Sequence, residues 1–191
     1  MRTLWLVLGI SFLITLEILK VYFIMPFPGS QRSHSISIAY FLHTNAWWLR
    51  IIGMLIIIGP AIYFIAKGKN WQKLLLAGAV LLYLFTFYNF NFRFLADKIF
   101  HQPKYKTELP ASADTTNRDI LIIGVVMNNE ASAYPIQVIG YHHQVQDTIA
   151  QQPIIVTYCT VCRTGRVFSP IVNGKYEQFR LVGMDHFNAM F

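Results

Sequence analysis

The sequence predicts a membrane-spanning anchor of three α-helices joined to a small, mainly β C-terminal domain. Three observations predict it. The first half of the chain holds three apolar stretches of about 20 residues, the length a helix needs to cross the hydrocarbon core of a bilayer. The second half switches to short β-branched runs broken by turn residues. The composition agrees: 54% of the 191 residues are hydrophobic and mean hydropathy is +0.41, too apolar for an ordinary soluble domain.

The spans are read at Leu4–Met25, Ala46–Ala66 and Trp71–Asn91, within a transmembrane region 1–92. Trp47, Trp48, Trp71, Tyr22 and Tyr88 fall near span ends, where amphipathic rings favour the interface. Pro60 is a kink site that neighbouring helices can tolerate. Arg2 and the apolar run after it resemble a secretion signal. No small-x-small cleavage site follows, and Met25-Pro26-Phe27-Pro28 does not suit a signal peptidase, so the first span is read as an uncleaved anchor. Glu17 and Lys20 lie inside that span three residues apart. Lys20 is expected to snorkel to the interface with Glu17 paired to it.

The net charge of +7 raises the question of nucleic acid. Residues 1–110 hold 11 of the 16 Lys and Arg against Glu17, Asp97 and Glu108 alone, while residues 111–191 hold five basic and six acidic residues. The basic excess therefore flanks the apolar spans, and the polar half has no basic patch interleaved with aromatics. This excludes nucleic-acid binding and leaves the lipid bilayer as the partner the sequence specifies. Protein partners are not specified. Arg2, Lys67, Lys69 and Lys73 face one side in this arrangement. Lys20, Arg32, Arg50, Arg93, Lys98, Lys104 and Lys106 face the other, so a bare count puts the C-terminal half in the cytoplasm.

Residues 93–118 read as a basic, aromatic juxtamembrane segment followed by the linker Leu109–Asn117. The domain 119–191 then begins with a strand over Asp119–Met127, a turn at Asn128-Asn129 and a return strand Glu130–Tyr134 ended by Pro135. Further strands are expected at Ile136–His143 and Pro153–Tyr158. A hairpin is expected with arms Arg166–Val172 and Lys175–Val182 around Asn173-Gly174, a pair suited to positive φ at both turn positions. The chain stops at an apolar His186–Phe191 segment, so the domain is expected to be incomplete at its C-terminus.

Both cysteines lie in Tyr158-Cys159-Thr160-Val161-Cys162-Arg163-Thr164-Gly165-Arg166. Attachment of a c-type haem needs His at position 163, and Arg is there. A thioredoxin-like pair needs a helix after the first cysteine. The alternating run Arg166–Ile171 argues for a strand instead, though not against a reversible disulfide. Arg163 and Arg166 can favour a thiolate. Metal binding is the third reading: zinc would draw two more ligands from His142, His143, Asp147 and His186, whereas copper(I) needs only the two thiolates and one imidazole. The fourth is a structural turn, reduced or bridged. On strand alternation His142 and His143 point to opposite faces, so only one can join the cysteines. Tyr134 is a site donor or a core residue. No nucleophile elbow, phosphate loop, zinc-protease helix or carboxylate pair is present.

Taken in order, Ala133-Tyr134-Pro135, His143 with Asp147 four residues on, Val156–Phe168, Asn173-Gly174 and Phe179–Gly183 resemble a prokaryotic domain-of-unknown-function family. Its hallmark is A-Y-P, H-x-x-x-D and Y-C-P-L-C-x-[ST]-[GA]. The resemblance covers residues 119–191. Thr160 stands where that family usually has Pro, and Gln146 where Asn usually precedes the Asp. Family domains continue through a Trp-rich segment that this chain lacks. The resemblance implies no established activity, but it implies export, and so an extracytoplasmic domain.

The expected function is a membrane-anchored metal-binding or thiol-redox module built on Cys159, Cys162 and His143, taking a copper or zinc ion if a metal. Asp147 would orient the histidine, with Tyr134 and Arg163 beside the site. The alternative is a non-enzymatic membrane interaction protein whose C-x-x-C is a structural turn or disulfide.

Overall fold

The computed structural model describes residues 1–32, 35–117 and 119–191; Arg118, at the end of the predicted linker segment, lies outside the described residues. The chain forms two compact units, Met1–Leu95 and Ala96–Phe191.

The first unit is helical. It contains α1 (Arg2–Tyr22), α2 (Ser35–Lys67) and α3 (Asn70–Tyr88), and α3 continues into a π-helical segment, Asn89–Arg93. All three helices are long and apolar enough to cross a membrane. α2 begins well before the predicted Ala46, because Ser35–Asn45 holds no glycine or proline to break it. Its 33 residues span about 50 Å at ~1.5 Å each, more than a hydrocarbon core requires. The helix runs on through Pro60. α1 and α2 approach closely where both lack a side chain: a Cβ at Gly9 would meet Ile57, and one at Gly53 would meet Leu13. Leu6, Ile10, Leu13, Phe64 and Tyr83 form the buried centre.

One expectation is corrected in this unit. Lys20 does pair with Glu17, at 2.8 Å, but it does not snorkel outward. Both side chains are buried, Glu17 completely. The reason is a partner that the sequence pattern does not assign. Arg50 of α2 grips Glu17 through Nε at 2.7 Å and Nη2 at 3.0 Å, and Asn91 of the π segment donates to Glu17 at 2.8 Å while accepting from Lys20 and Arg50.

The second unit begins with the short α4 (Ala96–Ile99) and a 3-10 turn at Ala111–Ala113. β1 (Ile122–Met127) and β2 (Glu130–Pro135) pair antiparallel across Asn128-Asn129, whose φ of 46° and 68° suit the two-residue turn expected there. The expected strand over Ile136–His143 is instead helix α5 (Ile136–His142). Pro135 takes the N-cap position, and the following residues bury Ile139 and Gly140 on one side rather than alternating. β3 (Gln144–Ile149), β4 (Gln152–Cys159) and β5 (Thr164–Phe168) then form an antiparallel sheet in chain order. β3 lies outside the predicted strands, because its polar residues hide the alternation.

The long Asn-Gly hairpin is also corrected. Ser169-Pro170 interrupts its first arm, and Thr164–Phe168 pairs with β4 instead. Only β6 (Ile171–Val172) and β7 (Lys175–Tyr176) remain as arms, around Asn173 and Gly174 with φ of 52° and 76°. Beyond them Phe179 is held by its carbonyl, which accepts from the Gln144 and Gln146 side chains at 2.6 and 2.7 Å. β8 (Gly183–Asp185) and β9 (Asn188–Met190) close the chain as a small hairpin. Val125, Ile139, Val145, Ile149, Ile154, Val156 and Tyr158 form the core of this unit.

Candidate functional site

The burial of β4 does not alternate along the strand. Residues Ile154 to Cys159 are all buried, so the strand is enclosed on both faces and rigidly held. At its end Cys159 pairs with Thr164 of β5, and Thr160–Arg163 make the connecting turn. The C-x-x-C therefore crowns a β-hairpin, as the alternating run after it suggested. Arg163 closes the turn with φ of 51°, a left-handed conformation that non-glycine residues rarely adopt.

The two thiols are free and differ in setting. Cys159 is 6% exposed, whereas Cys162 is open to solvent. The Cys162 backbone N–H points at Cys159 Sγ, 3.5 Å away, and the Cys159 thiol lies 3.4 Å from the Phe187 carbonyl. Burial works against ionising Cys159. The Cys162 thiol and the backbone N–H groups of Cys162, Ala189 and Val161 outweigh it and bring the Cys159 thiol below the ordinary thiol range. Burial and the neighbouring Cys159 push Cys162 the other way, above that range. A cleft of about 410 Å³ opens onto both sulfurs, with Thr157, Thr164, Arg166 and Asn188 among its walls. Arg166, rather than Arg163, supplies the cation there.

His143 stands elsewhere. It caps α5 with φ of 61°, which is why its direction diverges from that of His142. Its ring is buried, edge-on to Phe100 at 4.4 Å, and Nδ1 lies 3.0 Å from the Tyr158 carbonyl. Burial lowers its tendency to protonate, and that carbonyl only partly restores it. His142 instead meets the His101 carbonyl at 2.5 Å. Among the described residues no group of three or more His, Cys, Asp or Glu side chains is placed to hold a metal ion. The sulfurs thus fall short of the four ligands that structural zinc takes.

Asp147 and Tyr134 form a second constellation. Tyr134 donates its hydroxyl to Asp147 Oδ2 at 2.8 Å, and Lys106 is ion-paired to Oδ1. Asp147 orients a tyrosine and a lysine here, and His143 takes its orientation from Tyr158. Burial pushes the Tyr134 phenol above its ordinary range, and Asp147 pushes it further. Burial also opposes the Asp147 charge, but Lys106, Tyr134 and the Thr148 N–H bring its carboxyl below the usual range.

Sequence reasoning missed Ala189 and Asn188 beside the sulfurs, since an apolar tail carries no signal for a backbone donor. It also missed Lys106, whose charge looked like membrane-flanking charge. Compared with known proteins, residues 99–187 match the family model described as Protein of unknown function (DUF3179). The match starts upstream of residue 119, where the motifs began, and leaves the three long helices outside it. No curated protein and no solved structure matches the chain.

Proposed function

We propose that the segment matched to this family is a thiol–disulfide module, anchored by three membrane-spanning helices and facing the extracytoplasmic side. The observation that carries it is the inequality of the two sulfurs: Cys159 is sheltered and surrounded by backbone donors, and Cys162 at the far end of the motif is exposed. A thiolate is the attacking species in disulfide exchange. Cys159 as thiolate attacks one sulfur of a disulfide that enters the cleft, breaking that S–S bond and releasing one thiolate. Cys162, deprotonated in turn, attacks the Cys159 sulfur of the mixed disulfide and releases the second thiol. The protein then holds a Cys159–Cys162 disulfide, and two electrons have passed to the substrate. The reverse sequence oxidises a dithiol. Arg166 is the residue that would favour the thiolate form and draw in an anionic partner. His143 acts on the site through the Tyr158 carbonyl, one residue from Cys159, and is a positioning residue.

The test is redox equilibration of the purified full chain in glutathione buffers, with thiols counted by mass tagging. Both thiols should disappear and return together in a two-electron transition, and Cys159→Ser should abolish it. A bridge that no buffer reduces, or thiols that never pair, would overturn the module and leave a structural turn. Membrane side is tested separately by fusing a phosphatase after Phe191. Activity is expected from the export the family resemblance implies, and an inactive, stably expressed fusion would follow the charge count instead.

A further inference from the structure

The two sulfurs share their face of the sheet with a cation. In the β4–β5 register Cys159 lies opposite Thr164, and Thr157 opposite Arg166. Alternation puts Thr157 and Cys159 on the same face as Thr164, Arg166 and Phe168, and all five line the cleft. Cys159 and Arg166 are diagonal neighbours there, with Cα atoms about 7–8 Å apart. Arg166 is the charged side chain among those walls, and among the described residues its guanidinium has no ion pair and no hydrogen bond. The opposite face of the strand is closed, since a Cβ at Gly165 would meet Ile123 of β1 at 2.7 Å.

The cleft also limits the size of what enters. Its volume of about 410 Å³ falls in the range of small-molecule sites. Asn188 and Ala189 of β9, with Phe191 after it, form the wall across from the sheet. Cys159 lies recessed between them, 6% exposed, with the Phe187 carbonyl 3.4 Å from its thiol. A sulfur so placed is reached by a slender reactant more readily than by a disulfide inside a second folded protein. Phe168 and Phe191 add apolar surface beside the cation. The walls therefore ask for a disulfide with a short aliphatic body and a negative charge close to its sulfur. In a cysteine within a polypeptide the carboxyl group beside the sulfur is tied up as an amide, whereas in a free cysteine derivative it is a carboxylate.

Resting on the thiol–disulfide reading above, we propose that the substrate of this cleft is a low-molecular-weight disulfide with a free carboxylate beside its sulfur, bound through Arg166. The Cys159 thiolate attacks the nearer sulfur, the small S–S bond breaks and one small thiolate leaves. Arg166 holds the carboxylate of the half now bonded to Cys159 by a charge-assisted hydrogen bond. Cys162 gives up its proton, its sulfur attacks Cys159 and the second small thiolate leaves. Both small thiolates take up the protons that the two cysteines released. Two electrons have passed from the protein to the small disulfide, and the Cys159–Cys162 bond remains.

The test is the rate at which the reduced full chain in detergent is oxidised by two probes of one skeleton. N-acetylcysteine disulfide has free carboxylates. N-acetylcysteine amide disulfide has them blocked, as in a cysteine within a polypeptide. The acid-to-amide rate ratio should be at least about fivefold higher in the native chain than in Arg166→Gln, the scale of one charge-assisted hydrogen bond at an open site. Any effect of Arg166 on the thiolate acts on both probes and cancels in the ratio. Arg166→Lys should keep part of the preference. Arg163→Asn, which removes a charge from the turn but tolerates its left-handed backbone, should keep all of it. Arg166 is exposed on an edge strand, so its replacement leaves the fold in place. A ratio unchanged in Arg166→Gln would overturn the proposal and leave the thiol module standing. So would an equal fall in Arg163→Asn, which would trace the preference to overall charge. A chain that neither probe oxidises would sink the module, and the proposal with it.

Discussion

The Tyr134 hydroxyl donates to Asp147 Oδ2 at 2.8 Å, joining β2 of one sheet to β3 of another. The two strands share no ladder, so this bond and the core side chains beneath it hold the sheets in register. Tyr134→Phe keeps the ring and removes the bond, and should cost about 1 kcal/mol. Asp147→Ala should cost more, about 1–3 kcal/mol, because it leaves a half-buried phenol without its acceptor and Lys106 with the Gln146 carbonyl but no counter-charge. Chemical denaturation of the full chain in detergent, followed by near-ultraviolet circular dichroism, checks both. Equal effects would mean that Asp147 serves Tyr134 alone.

The second unit should lose stability on acidification in two separable stages. His143 is kept neutral by burial, so the unfolded chain takes up a proton first, from about pH 6.5 downward. Its contribution is complete above that pH and is lost as pH falls through the lowered folded value. Asp147 has a depressed folded value, so its contribution is complete above the ordinary carboxylate range and is lost at lower pH still. His143→Gln should flatten the upper stage and Asp147→Asn the lower one in melting temperature recorded against pH. A single stage that both variants flatten would join the two groups into one network.

The thiols should titrate apart. Alkylation followed by peptide mass spectrometry should give Cys159 a midpoint below the ordinary thiol range and Cys162 one above it, whatever their absolute rates. Cys162→Ala should raise the Cys159 midpoint, since the Cys162 thiol is the largest of the influences that lower it. An unchanged midpoint would leave the backbone donors as the cause.

In the helical unit, the chain should stay in the membrane pellet after carbonate washing. Gly53→Ile should not release it, yet it should lower the melting temperature in detergent. The new side chain collides with Leu13 of α1, an overpacking cost of about 1–3 kcal/mol. Wild-type melting in Gly53→Ile would mean that α1 and α2 can separate freely there.

Much of this architecture is legible in the residues themselves. Long apolar runs announce helices because the bilayer sets their length, and Asn128-Asn129 announces a turn because few residues accept positive φ. The run Ile136–His143 misled because a short apolar stretch fits either period, and only Pro135 at its head, well placed for an N-cap, favoured the helix. Ser169-Pro170 breaks the long hairpin, because a proline cannot donate to a strand ladder. Proximity of the two cysteines follows from their spacing, but the Ala189 donor comes from a hairpin some thirty residues on. The Arg50–Glu17 pair is likewise a property of helix packing, and no local pattern encodes it.

The π-helical turn at Asn89–Arg93 is in effect a single residue inserted into α3. In an uninterrupted α-helix the positions after the inserted residue would be rotated by about 100°, and an Asn91 amide turned with them would leave Glu17. The contact is therefore written in the number of residues between Trp71 and Asn91 as much as in their identities. Deleting Phe90 is expected to be more disruptive than replacing it. A homologue shorter by one residue here would need a different side chain, from a different position, to meet the same carboxylate.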